Sequence, residues 1–130
     1  MRKNLILLAI AVVMVGIFFY CKLLYRNHRD VSIEKAAFTL SVEELHNQFV
    51  KNDSIANIKY ADKTIEIHGK ITAVDLSANS ITVDEKLSGV LKDKLTPKIK
   101  VASDVKLKGR LLGYDDLLEE LKMDQVSILN

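Results

Sequence analysis

The sequence predicts a mainly β fold: a small five-stranded barrel with an N-terminal capping helix, preceded by one transmembrane helix. Three observations carry this. Near the amino terminus the chain holds one long uncharged apolar run. From residue 64 onward apolar residues alternate with polar ones at period two, the spacing of half-buried strands. The segment IEIHGKI from Ile65 then returns forty residues later as VKLKGRL from Val105, with glycine fifth in each.

Charge is unevenly spread. Of 130 residues, 19 are Lys or Arg and 17 are Asp or Glu. Five of the cations (Arg2, Lys3, Lys22, Arg26, Arg29) precede Asp30, so residues 30–130 hold 14 basic and 17 acidic side chains, a formal charge of −3. A mildly acidic domain lacks the broad basic face that tight binding to nucleic acid phosphates needs. One cysteine and no tryptophan exclude a disulfide scaffold and a multi-cysteine zinc site.

Residues 1–4 are a basic tip. Residues 5–21 read LILLAIAVVMVGIFFYC, and with the Lys22 ammonium snorkelling the apolar stretch continues to Tyr25. At about 1.5 Å per residue, residues 5–25 cross roughly 30 Å of hydrocarbon. They are therefore expected as a transmembrane helix in contact with membrane lipid. A cleaved signal peptide has a shorter apolar region and a small-x-small ending. This one ends in Phe18, Phe19, Tyr20 and Cys21, which fits an uncleaved signal anchor. Tyr20 is also too large to precede a lipid-modified cysteine. Basic residues flank both ends, so charge does not set the orientation. Residues 26–40, polar and without periodicity, are expected as a tether, and 41–130 as the domain.

Within that domain, S-V-E-E from Ser41 is a capping box. Val42, Leu45, Phe49 and Val50 follow on one helical face. A second short turn from Asp53 is expected to carry Ile55, Ala56 and Ile58 inward. Residues 64–73 form the first strand, with Ile65, Ile67, Gly69, Ile71 and Ala73 facing in. A turn at residues 77–80 leads to a strand at residues 81–83. Val90, Leu91 and Leu95 have the spacing of one helical turn, and Ile99 with Val101 marks a short third strand. The fourth strand, from Val105, turns Leu107, Gly109 and Leu111 inward and Lys106, Lys108 and Arg110 outward. Leu117, Leu118 and Leu121 then suggest a helical turn capped by Asp115 or Asp116. A last strand over residues 123–129 points Val126 and Ile128 inward.

Two long glycine-bent strands among five, with a helix in front, describe an OB-like barrel, because glycine sustains the bend that lets one strand serve both halves of a closed sheet. NIKY from Asn57, the I-x-I-x-G-K-I strand around Gly69, and the segment KGRLLGYDDLLEELKMD from Lys108 resemble the tRNA_anti-like family of bacterial OB-fold proteins, over roughly residues 41–130. The resemblance implies a membrane-anchored or exported protein and brings no catalytic or binding residues with it. It implies a bacterial membrane location with the domain outside the cytoplasm, which a cysteine-free domain also suits.

Two groups stand out as candidate binding residues. Lys106, Lys108 and Arg110, joined by Lys98 and Lys100, offer a basic strand face. Tyr114, Asp115, Asp116, Glu119 and Glu120 form an acidic segment before the last strand. Its spacing lacks the alternating ligands and turn glycine of a calcium loop. His28, His46 and His68 have no metal-ligand spacing and are expected at the surface. No metal or cofactor is implied. Catalysis is not expected either: Cys21 lies in the apolar segment, no serine sits in an elbow motif, and Glu66 with His68 on an outward strand face is an ordinary polar surface. The expectation is a non-catalytic membrane-anchored binding module for a protein or envelope component. Nucleic acid is disfavoured, since Tyr114 is the lone aromatic beyond Tyr60. The alternative is a binder of nucleic acid or anionic lipid that uses the basic strand face.

Overall fold

The computed structural model describes residues 1–24 and 29–129. Tyr25, Arg26, His28, the start of the expected tether and Asn130 lie outside the described residues.

Helix α1 (Arg2–Leu24) is long and apolar enough to cross a membrane, and none of its residues is buried by the rest of the protein. Strand β1 (Phe38–Ser41) runs directly into α2 (Val42–Lys51), where the Ser41 hydroxyl accepts from the Glu44 N–H as the capping box requires. Helix α3 (Asp53–Tyr60) follows, with the Asn52 side chain accepting from the Ile55 N–H. Five strands come next: β2 (Thr64–Asp75), β3 (Ser80–Val83), β4 (Leu87–Leu91), β5 (Asp104–Asp115) and β6 (Glu120–Leu129). The sheet order is β1-β2-β3-β4-β6-β5, and β2 also pairs with β5, so the last five strands close into a barrel. β4 and β6 pair in parallel; every other contact within the barrel is antiparallel. Inside lie Ile65, Ile67, Ile81, Val83, Leu87, Leu107, Leu111, Leu121 and Met123, covered by Val42, Leu45 and Phe49 of α2 and by Tyr60. The five-stranded OB-like barrel with a helix in front is therefore the fold.

Several local expectations need correction. The described part of the expected tether, residues 29–40, does not hang free. Val31 is fully buried, β1 pairs in parallel with β2, and Arg29 donates to Glu34 (2.6 Å) and to the Asp62 carbonyl (2.7 Å). Val50, Ile55 and Ile58 are exposed, because α2 and α3 each bury a narrower stripe than the apolar spacing allows. Residues 87–91 are a strand rather than a helical turn; Leu87, Gly89 and Leu91 face inward, and the glycine hid the alternation. Around Ile99 and Val101 there is no strand, since Ala102 turns the chain with a left-handed φ of 69°. Ala73 is exposed because a register shift after Ile71 flips the pleat. Leu117 and Leu118 face solvent, in a tight β5–β6 turn where a helical turn was expected.

The forty-residue offset reaches far beyond the matched heptapeptides. β2 and β5 are both 12 residues long and begin forty apart, as do β3 and β6. Left-handed φ values recur at Asp62 and Ala102 (61° and 69°), Asn79 and Glu119 (52° and 53°), and Glu85 and Gln125 (57° and 49°). Register shifts fall after Ile71 and after Leu111. In the β2–β5 ladder, Ile65↔Gly109 exchanges with Gly69↔Val105 under the offset, and Ile67↔Leu107 maps onto itself. Even the ladder ends correspond: the Asp62 N–H donates to the Leu111 carbonyl at 2.8 Å, and the Ala102 N–H to that of Ile71 at 2.7 Å. The two hairpins are thus related by a pseudo-twofold axis through the Ile67–Leu107 pair.

Candidate functional site

Alternation along β5 puts Lys106, Lys108 and Arg110 on the outer face, as the sequence pattern requires. Their charges, however, are engaged within the domain. Lys106 Nζ lies 3.0 Å from Glu66 Oε2 on the neighbouring strand. Lys108 donates to the Ser32 carbonyl at 3.2 Å. Arg110 grips Asp124 through Nε (2.8 Å) and Nη2 (2.5 Å), with Asp62 at 3.5 Å from Nη1. This fork-to-fork pairing raises the Arg110 pKa. Among the described residues, Lys98 and Lys100 make no ion pair and lie in the segment leading to β5.

The acidic segment divides by role. Asp115 Oδ1 accepts from the Leu117 and Leu118 N–H groups at 3.0 and 3.2 Å, so this carboxylate shapes the turn. Glu120 is paired with Lys122. The Asp116 and Glu119 side chains have no polar partner among the described residues. Together with His46, Phe49 and Tyr114 they line an open groove of about 550 Å³ between α2 and the turn. Tyr114 is no stacking platform: its ring lies 5.8 Å from Phe49, nearly parallel to it, and 5.5 Å edge-on to His46. Burial, with Glu119, Asp116 and Asp53 nearby, raises the pKa of its hydroxyl. Phe38, Phe49, Tyr60 and Tyr114 also pack on one another, with Phe49 and Tyr60 buried and Phe38 and Tyr114 half-buried.

His46 was missed by pattern reading. Its Nε2 lies 3.2 Å from the Glu119 carbonyl, an acceptor, so Nε2 carries the hydrogen and donates. The ring thereby joins α2 to the β5–β6 turn, while Nδ1 is buried without a partner. Nothing in the helical pattern marks this contact, which links residues 73 apart. His68, by contrast, is exposed as expected. Among the described residues no three His, Cys, Asp or Glu side chains converge as a metal set.

Barrel closure, the parallel β4–β6 pair and the helix across the core define an OB-fold, carried behind an apolar helix. The chain belongs to the tRNA_anti-like family, whose model matches residues 1–116. That match takes in α1, which the resemblance had left out, and stops short of Leu117. No curated protein matches the chain. Among solved structures, the chain is similar to a protein of Klebsiella pneumoniae described as a "putative nucleic acid-binding lipoprotein". The likeness has a TM-score of 0.53 at 12% identity and covers 71% of this chain and 91% of that one. At that identity it shows the fold.

Proposed function

We propose that this protein is a non-catalytic, membrane-anchored OB-fold module. It binds a protein or other envelope component, with α1 spanning the bacterial membrane and the domain outside the cytoplasm. One observation carries the choice of partner: the cations of the β5 outer face are held by Glu66, Ser32, Asp62 and Asp124, whereas Asp116 and Glu119 stay open beside the groove under α2. Single strands are held by aromatic platforms in a basic groove, whereas the barrel's rings pack against one another and the core.

A second reading, binding of nucleic acid or anionic lipid, draws on the description of the Klebsiella protein and on Lys98 and Lys100. The earlier expectation against nucleic acid gains nothing from that neighbour, so the test addresses it directly. Full-length protein in detergent is titrated with fluorescent single-stranded oligonucleotides, and in parallel with vesicles containing anionic lipid, at about 0.15 M salt. The protein-binding reading expects no saturable binding in the micromolar range. Saturable binding lost in Lys98→Glu/Lys100→Glu, a surface change that spares the Arg110 network, would overturn it.

A further inference from the structure

The pseudo-twofold axis supplies an internal control for the β5–β6 turn. In the β2–β3 turn, Asp75 Oδ1 accepts from the Ser77 and Ala78 N–H groups at 2.9 and 3.0 Å, and Asn79 turns the chain at φ 52°. In the β5–β6 turn, Asp115 does the same for Leu117 and Leu118, and Glu119 turns the chain at φ 53°. Ser77 and Ala78 therefore build the same turn that Leu117 and Leu118 build, so the backbone has no need of leucine there. Neither does the core, because Leu117 is 95% and Leu118 63% exposed. The change at the flank is as marked: Leu76 of the first turn corresponds to Asp116 of the second, and Asn79 to Glu119. The second turn thus carries two adjacent solvent-facing leucines between unpaired carboxylates, where the first carries Ser77 and Ala78 beside a single exposed leucine, Leu76.

We propose that Leu117 and Leu118 form a docking prong that enters an apolar socket ringed by Lys or Arg on a protein partner. The chemistry selects that occupant. Contiguous exposed apolar groups rimmed by polar ones mark sites of association, and the carboxylates beside these adjacent leucines match a cationic rim. An anionic bilayer surface would repel Asp116 and Glu119. A second copy is disfavoured because residues 30–130 carry a formal charge of −3. His46 and the Asp115 cap hold the turn in place, so the prong is presented preformed.

This inference rests on the protein-binding reading, and its test keeps the two apart. A photo-crosslinking amino acid is placed in the full-length protein, in its native membrane, at Leu117, at the pseudo-equivalent Ser77, or at Lys98. The prong predicts a protein adduct from position 117 and none from 77. The crosslinked peptide should be apolar with net positive charge, and the yield should fall at least fivefold at about 1 M salt, where charges are screened beyond about 3 Å. With the probe at Val50 instead, exposed beside the same groove, the double change Leu117→Ser/Leu118→Ala, which restores the residues of the β2–β3 turn at those two positions, should cut the adduct about tenfold and leave thermal unfolding unchanged. Adducts from 117 to lipid, to a second copy or to an acidic peptide, or no adduct there, would overturn the prong. If Lys98 still yields a protein adduct, the binding-module reading stands without the prong; no protein adduct from any position defeats both.

Discussion

Glycines 69 and 109 show how a single missing atom shapes the barrel. A Cβ on Gly109 would stand 2.9 Å from Val126 Cγ2 and 3.0 Å from the Asp124 carbonyl oxygen. One on Gly69 would stand 2.5 Å from Asp84 Oδ2 and 2.6 Å from Val83 Cγ1. Crowding of this kind in a closed sheet costs about 1–3 kcal/mol, and more where the backbone must move. Gly109→Val should therefore lower stability by about 3 kcal/mol in urea unfolding. Lys108→Val, on the outer face, should lose about 1 kcal/mol with its bond to Ser32. Equal losses would count against the bend at Gly109. These two glycines were legible because they stood at matched places in matched strands. His46 was not, since a lone histidine on a helix gives no sign of a carbonyl that the fold delivers from 73 residues away.

Among the elements, the arm before β1 departs most from its sequence pattern. Residues 29–34 have no periodicity, yet polar contacts clasp them to the barrel. Asp30 takes Lys92 at 2.7 Å, and the Thr64 hydroxyl donates to Glu34 at 2.5 Å. Hydrogen bonds from Lys92 and Ser32 hold the Asp30 pKa down at about 2, and those from Arg29 and Thr64 hold Glu34 at about 2. A depressed carboxylate stabilises the bound arm above its ordinary pKa and loses that contribution as pH falls through the folded value. The arm should thus stay clasped at neutral pH and detach progressively as pH drops from about 4 toward 2. Amide exchange of Val31 and Ser32 across that range would show it. Glu34→Gln should weaken the clasp at neutral pH and flatten its acid dependence. Clasps of this kind escape pattern reading because side-chain bonds between distant residues leave no period. The helix from Ser41 was legible because its cap and apolar face are local. β4 and the β5–β6 turn were misjudged where glycine or exposed leucine interrupts alternation.

For the molecule as a whole, closure of five strands into a barrel followed from alternation and the forty-residue repeat, while the place of the third strand and the state of the candidate site did not. Outward cations on β5 were readable as a row. That each meets a partner depends on Glu66, Ser32 and Asp124, which reach them only once the sheet has closed. With α1 in the bilayer, the protein should remain in the pellet after carbonate extraction, and protease added to intact spheroplasts should digest the barrel. Release by carbonate would exclude a spanning helix, and full protection would place the barrel in the cytoplasm.

Because Arg29 is fastened to Glu34 and Asp62, only residues 25–28 separate the barrel from the last turn of α1. Five Cα-to-Cα steps reach at most about 18 Å, whatever path they take. On a spanning α1, such a leash confines the barrel to a thin layer over the lipid surface and lets it explore in two dimensions rather than three. A target embedded in the same membrane would meet it at high effective concentration if its socket lies within that layer. A target whose socket stands far above the bilayer would never be touched, however well its chemistry matched. Lengthening the leash would widen the layer, so linker length sets the height at which this protein can act.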